Sequence, residues 1–434
     1  MKAVRHRAPV LFARAFRLSL APFSRALAIS ICLAVVSIAS AQSGQGSTEQ
    51  GRMGPLATVV QPYIDSHEIA GAVVLIADRD RVLDRETMGY ADIAARRPMK
   101  PNDVFWIASM SKAMTATAVM MLVDQGKVCL DDPVEKYLPE FRGQMVAPAP
   151  KPDSAAPLPT GSNSAANAIA APRLEPLKHP ITIRELLSHT AGLPFSSKRE
   201  PGAFDLLPLK TAVESYAAEP LQSQPGDEYS YSNEGINTAG RIVEVVSGMP
   251  FQDFLEERLF TPLGMNDTTF WPTDAQLLRL ATSYKSGTTT TALQAAPIDQ
   301  LTYPLSDRTR RYPIPAGGLF STADDVARFC QMMLNNGVFQ GRRYLSAESV
   351  RLITTKETGD AVTKSYGLGW NIGDGFFEHS GAYKTDMKVD TKRGLIVIFL
   401  VQHANDWALE DRQKLMDSLE QRAIAALSNE IAAH

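Results

Sequence analysis

Phe105-Trp106-Ile107-Ala108-Ser109-Met110-Ser111-Lys112 runs directly into an apolar stretch, Ala113 to Val123, that stops near Gly126. The pattern fits a helix that is apolar on nearly every side, and such a helix belongs inside a protein. Lys112 lies within it, one turn after Ser109 and on the same face. Desolvation and the positive end of the helix both disfavour an ammonium there, leaving a neutral amine able to take the Ser109 hydroxyl proton. The plainer reading is a serine capping the helix and a lysine snorkelling to solvent.

Outward from this helix, the chain divides by pattern. Leu56 to Ser66 reads as a first helix. Ala70 to Ala77 and Val82 to Tyr90, joined by the polar turn Asp78 to Arg81, read as an antiparallel hairpin. Helical patterns dominate from Ile107 to about Leu263, including Ile181 to Ser188 and Asn233 to Val246. Strand character returns at Phe376 to His379, Asp386 to Asp390 and Gly394 to Gln402, before a charged amphipathic helix from about Leu409 to Ile431. This order predicts an α+β fold, with an antiparallel sheet built from both chain ends, flanked by terminal helices, and an inserted helical domain. One domain is expected over 55–434, its sheet part near 55–105 and 300–434 and its helical part near 106–299. The stretch 145–176, dense in Pro, Ala, Ser and Asn, reads as a low-complexity surface insertion.

Composition bounds the function. The chain has 434 residues, 44% hydrophobic and 21% charged, enough for a large core. Residues 1–41 carry six basic and no acidic residues, then an apolar run into Val36 and Ile38 that ends in Ala39-Ser40-Ala41. This predicts a secretory signal cut after Ala41, a flexible leader over 42–54, and a periplasmic or secreted protein without a stable membrane span. Without those six, 38 basic residues face 47 acidic ones, a net charge of −9 that argues against a nucleic-acid partner. Cys129 and Cys330 then remain, and two separately buried thiols are expected. No G-x-S-x-G, H-E-x-x-H, C-x-x-C or phosphate-binding glycine loop occurs, so no metal or cofactor is expected.

Two further patterns give Ser109 and Lys112 company. No other lysine has a serine three residues before it. Of 12 tyrosines, Tyr231 alone has an asparagine two later, Asn233; of 7 histidines, His379 alone has a glycine two later, Gly381. In this order, S-x-x-K, Y-x-N and H-x-G, the chain resembles the penicillin-recognising serine hydrolases, in particular the class C β-lactamase, D-Ala-D-Ala carboxypeptidase and related esterase branch. Further similar stretches are Gly89 to Asp92, Leu130 to Pro133, Tyr137 to Pro139, Ile181 to Pro194 and Pro315 to Leu319.

The resemblance implies that Ser109 attacks a carbonyl and becomes an acyl-enzyme, while Lys112 and Tyr231 share the acid and base work. A lysine cation beside Tyr231 would favour its phenolate and couple the two titrations. Asn233 would donate to a substrate carbonyl and accept from Lys112. His379 would stand where lactamases carry lysine, Gly381 would let substrate backbone approach, and the amides of Ala382 and Ser109 would form an oxyanion hole. Gly317 and Gly318 would line the cleft. His189 reads as structural, and Arg308, Arg310 and Arg311 as a solvated basic turn, with a cation set for a substrate carboxylate as the alternative. The implied substrate is a small ester, a D-amino-acid peptide or a β-lactam, with esterase or peptidase action ranked above β-lactam hydrolysis. A sensor that captures penicillin or cell-wall peptide without turnover is the competing reading.

Overall fold

The computed structural model describes residues 54–147, 174–200, 202–287, 292–404 and 409–433. The expected signal, all but the end of the leader, and the middle of the 145–176 insertion lie outside the described residues. The insertion's two ends are joined by a short antiparallel ladder, Met145 opposite Pro176 and Val146 opposite Glu175.

Every residue of β1 (Gly71–Ala77) is buried. An uninterrupted apolar strand demands this, because both faces of its sheet must be covered. The strand sits inside a seven-stranded sheet with β2 (Val82–Asp92), β3 (Arg97–Pro98), β4 (Asn371–Gly373), β5 (Phe376–Ser380), β6 (Asp386–Asp390) and β7 (Leu395–Leu400), in the order β4-β5-β6-β7-β1-β2-β3. All neighbours are antiparallel. The two ends of the chain meet where Val73 lies opposite Leu400 and Ala77 opposite Ile396.

Strand alternation sends side chains to two cores. Ala72, Val74 and Ile76 of β1 and Leu395, Val397 and Phe399 of β7 pack with α1 (Ala57–Asp65) and α6 (Leu409–Ala433) through Val60, Leu415 and Leu419. Val73, Leu75, Ile396 and Ile398 face the other way, into the main core that also holds α2 (Ser111–Asp124) and α5 (Ala323–Leu334). From Ser111 to Leu122, α2 is buried at every position. Its neighbour α4 (Asn233–Ser247) crosses it, and the short α3 (Ile183–Ser188) packs on α4.

Two sequence expectations need correcting. The helical stretch also contains strands, Tyr284–Ser286 and Leu293–Ala295, which join His403–Ala404 in a small sheet. Three-residue strands are too short to show a period. Cys129 is exposed, not buried: it opens a surface turn in which its amide donates to the Asp132 side chain and its carbonyl accepts from the Asp132 amide; Cys330 is buried, 4.0 Å from Met387 Sδ. Among the described residues, no helix is long and apolar enough to cross a membrane.

Candidate active site

Ser109 lies in a single 3-10 turn, Ala108–Met110, at the head of α2. The turn is held from behind. Phe105 and Trp106 pair with Ser321 and Phe320, the Trp106 indole donates to the Gly317 carbonyl at 2.8 Å, and the Ser111 hydroxyl donates to the Ala108 carbonyl at 2.6 Å. Ala108 has φ of 45°, a left-handed conformation that costs a non-glycine residue energy and is tolerated where its surroundings over-determine it.

Lys112 follows one turn later, completely buried. Its Nζ lies 3.1 Å from Ser109 Oγ, 2.8 Å from Asn233 Oδ1 and 2.7 Å from the Ala316 carbonyl. The Ala316 loop is fixed on both sides: the Thr115 hydroxyl donates to the Pro315 carbonyl, and the Ala316 amide donates to Asn237 Oδ1. Burial pulls the Lys112 amine well below its ordinary value. A neutral amine has two N–H groups and one lone pair. Two of its partners are carbonyl oxygens, which only accept, so the lone pair is left for the one partner able to donate, the Ser109 hydroxyl.

Tyr231 and Asn233 flank the cap of α4, where the Ser232 side chain accepts from the Gly235 amide and donates to the Pro194 carbonyl. Lys112 Nζ sits 4.7 Å from the centre of the Tyr231 ring. The expected phenolate does not emerge: burial pushes Tyr231 well above its ordinary value, against the opposing effect of its hydrogen bond with Ser109. Tyr231 is therefore a phenol, a proton donor in waiting. His189 packs under it with ring centres 4.5 Å apart. It occupies the left-handed C-cap of α3, a six-residue helix whose start is a reciprocal cap between Thr182 and Glu185.

The opposite wall is β5, one strand in from the sheet edge. His379 is 2% exposed, and burial with the nearby Lys112 lowers it to about 3, so it is neutral. Gly381 lines the cleft, but its missing side chain faces inward, where a Cβ would stand 2.2 Å from Thr385 Oγ1 and 2.6 Å from the Ile107 carbonyl. Its smallness lets β5 lie against the Ser109 turn, which corrects the expectation that it makes room for substrate. Ala382 is exposed on the same rim.

Gly317 and Gly318 part ways. Gly317 lines the cleft, and a Cβ there would meet nothing closer than 3.7 Å. Gly318 is buried beneath the loop and does not line it; its Cβ would stand 2.8 Å from Phe270 and 3.0 Å from the Ile314 amide. Arg311 is not a solvated turn residue either. It is 2% exposed, paired with Asp205 and donating to the carbonyls of Leu305 and Phe270. Arg310 pairs with Asp307, and Arg308 lies over Trp271, outside the cleft.

These walls enclose a cavity of about 520 Å³. Sequence reasoning missed much of its lining: Trp106, Phe195, Phe204, Tyr229, Gln300 and Asn371. Scattered aromatics carry no motif, and only the chain path gathers them. No Lys, Arg, Asp or Glu is among the described residues that line the cavity. Lys364 lines an adjoining groove that shares Asn371 and Ser380 with it.

The chain is similar to known proteins in sequence and in fold. The chain is 31% identical over 388 residues to Protein Rv1367c of Mycobacterium tuberculosis, covering 81% of this chain and 90% of that one. It is 26% identical over 395 residues to Esterase EstB of Burkholderia gladioli, covering 80% and 90%. In three dimensions it matches EstCE1, a hydrolase with promiscuous acyltransferase activity, at a TM-score of 0.68 and 24% identity, over 84% of this chain and 97% of that one. The family model described as Beta-lactamase matches residues 56–419, so the chain belongs to that family of serine hydrolases.

Proposed function

We propose that this chain is an exported serine hydrolase that cleaves uncharged esters through an acyl-enzyme on Ser109. Neutral Lys112 takes the Ser109 proton as Oγ bonds to the ester carbonyl carbon. The oxyanion faces the amides of Ser109 and Ala382. As the carbon–oxygen bond to the alcohol breaks, the alcohol leaves with the Tyr231 proton, and Lys112 returns its own to Tyr231. Water then attacks the acyl carbon, Lys112 takes its proton, and Ser109 recovers that proton as the acid departs. Asn233 orients Lys112 and donates its amide to substrate.

One observation carries the choice of ester: among the described residues, the cleft over Ser109 is lined by aromatic, small and amide side chains with no Lys, Arg, Asp or Glu. A D-alanyl peptide or a penicillin brings a carboxylate, and a carboxylate entering such a cleft exchanges its hydration for neutral groups without a cation to offset the loss. His379, being neutral, supplies none. The similarity to EstB supports this reading. The second reading, peptidase action, has one observation in its favour, Lys364 just beyond the Asn371–Ser380 rim.

Initial rates on a phenyl ester of a neutral acid, a D-Ala-D-Ala tripeptide and a penicillin test the choice. The ester is expected to exceed both others in kcat/KM by about 10²-fold or more. A peptide rate that matches the ester and is lost in Lys364→Ala would establish the second reading instead. Export rests on residues 1–41, and recovery of protein beginning at Gln42 from the periplasm or medium checks it.

A further inference from the structure

Behind the cleft, three buried rings form an unbroken series of hydrogen bonds. The Ser232 amide, between Tyr231 and Asn233, donates to His189 Nδ1 at 3.1 Å. His189 Nε2 is 3.3 Å from the Tyr366 hydroxyl, the same hydroxyl is 3.1 Å from His379 Nε2, and His379 Nδ1 is 2.9 Å from the Ser380 carbonyl. The three side chains are 2% exposed or less, so water does not compete for these bonds.

The two ends set the direction. A backbone amide only donates, so His189 Nδ1 accepts, and the proton of its neutral ring sits on Nε2. A carbonyl only accepts, so His379 carries its proton on Nδ1, and its Nε2 accepts. The Tyr366 hydroxyl takes from His189 and gives to His379, the one arrangement that satisfies every group with neutral rings. We propose that Tyr366 is a positioning residue: its hydroxyl, accepting from His189 and donating to His379, bridges the two opposite tautomers that the backbone ends set and so ties the Tyr231–Asn233 segment to the Ser380–Ala382 rim.

Burial keeps both imidazoles neutral through the physiological range. The charged and titratable groups acting on the three rings are Lys112 on both histidines, Lys364 on His379, and Tyr229 and Tyr231 on Tyr366. Loss of the Tyr366 hydroxyl leaves the His189 Nε2–H without an acceptor and His379 Nε2 without a donor, which unties the Tyr231–Asn233 segment from the strand end beside Ala382. Because this rim bears one of the proposed oxyanion donors, the catalytic consequence rests on the function proposed above; the tautomers do not.

The test is ring-nitrogen NMR on histidine-labelled full-length protein without substrate, with signals assigned by loss in His189→Gln and His379→Gln, beside kinetics of Tyr366→Phe. The wild type is expected to show His189 protonated on Nε2 and His379 on Nδ1. Tyr366→Phe is expected to keep both tautomers, which the backbone ends set, and to lower kcat by about 10- to 100-fold with KM within about threefold, as a small misplacement of reacting groups does. Wild-type His379 protonated on Nε2 overturns the proposal whether or not the variant folds. So does a folded Tyr366→Phe with full kcat. Opposite tautomers in a protein that never acylates Ser109 would uphold the relay and reject the esterase reading.

Discussion

Lys112 on α2 and Glu234 on α4 are both completely buried, on helices that pack against each other, yet they are treated in opposite ways. Lys112 has a partner at each of its three tetrahedral positions, whereas neither carboxyl oxygen of Glu234 has a hydrogen-bond partner among the described residues. Desolvation drives each toward its neutral form, lowering the amine and raising the carboxyl to about 9, with Glu219 and Glu200 adding to the latter. Burial alone therefore does not mark a reactive group. What separates the two is a shell of acceptors that leaves one lone pair facing one hydroxyl.

The largest effect breaks the lysine side of this contrast. Lys112→Met keeps the length of the side chain and removes the base, and the burst of phenol release from a phenyl ester is expected to slow by about 10³-fold or more. A loss below tenfold would mean that another group takes the Ser109 proton. Asn233→Asp sharpens the point without removing the amine. A carboxylate 2.8 Å from Nζ favours the ammonium and raises the lysine. Because the amine must be deprotonated, kcat/KM near pH 7 should fall by about 10²-fold and recover as pH rises, a displacement of the acid limb toward alkaline pH.

Next come the two adjacent glycines. Gly318→Ala forces a Cβ within 3.0 Å of Phe270 and should destabilise the fold by about 1–3 kcal/mol in urea unfolding. Gly317→Ala should stay within about 0.5 kcal/mol of wild type and act on KM. Equal stabilities would return both to the cleft.

Glu234→Gln gives the smallest effect, and its sign follows from proton linkage. The unfolded carboxyl loses its proton near 4.5 and the folded one near 9, so between these values unfolding releases a proton and wild-type stability falls as pH rises. The glutamine variant lacks that slope. It should melt with the wild type at pH 4 and roughly 2–4 °C higher at pH 8.

The same contrast explains what the sequence could convey. Ser109, Lys112, Tyr231, Asn233 and His379, which the fold gathers at one cleft, are legible because the chemistry proposed for them requires particular side chains at particular spacings. The hairpin, the late strands and the buried helix are legible because period 2 and apolar runs survive in one dimension. The third partner of Lys112 is a backbone carbonyl, which no residue type encodes. Tyr366 reads as one more core aromatic until the fold brings it between two histidines. Arg311 reads as part of a basic turn because Asp205 stands 106 residues away. Gly318 and Gly381 read as glycines that clear space for substrate because a glycine's neighbour, which gives the reason for its smallness, is absent from the sequence.

The most direct measurement is the intact mass of the protein quenched during turnover of a slowly hydrolysed phenyl ester, with peptide mapping and Ser109→Ala as control. The account predicts one acyl group gained and phenol released in equal amount, the acyl mapped to Ser109 and absent from the control. Turnover with no adduct at any time, or an adduct that forms equally in Ser109→Ala, would contradict it.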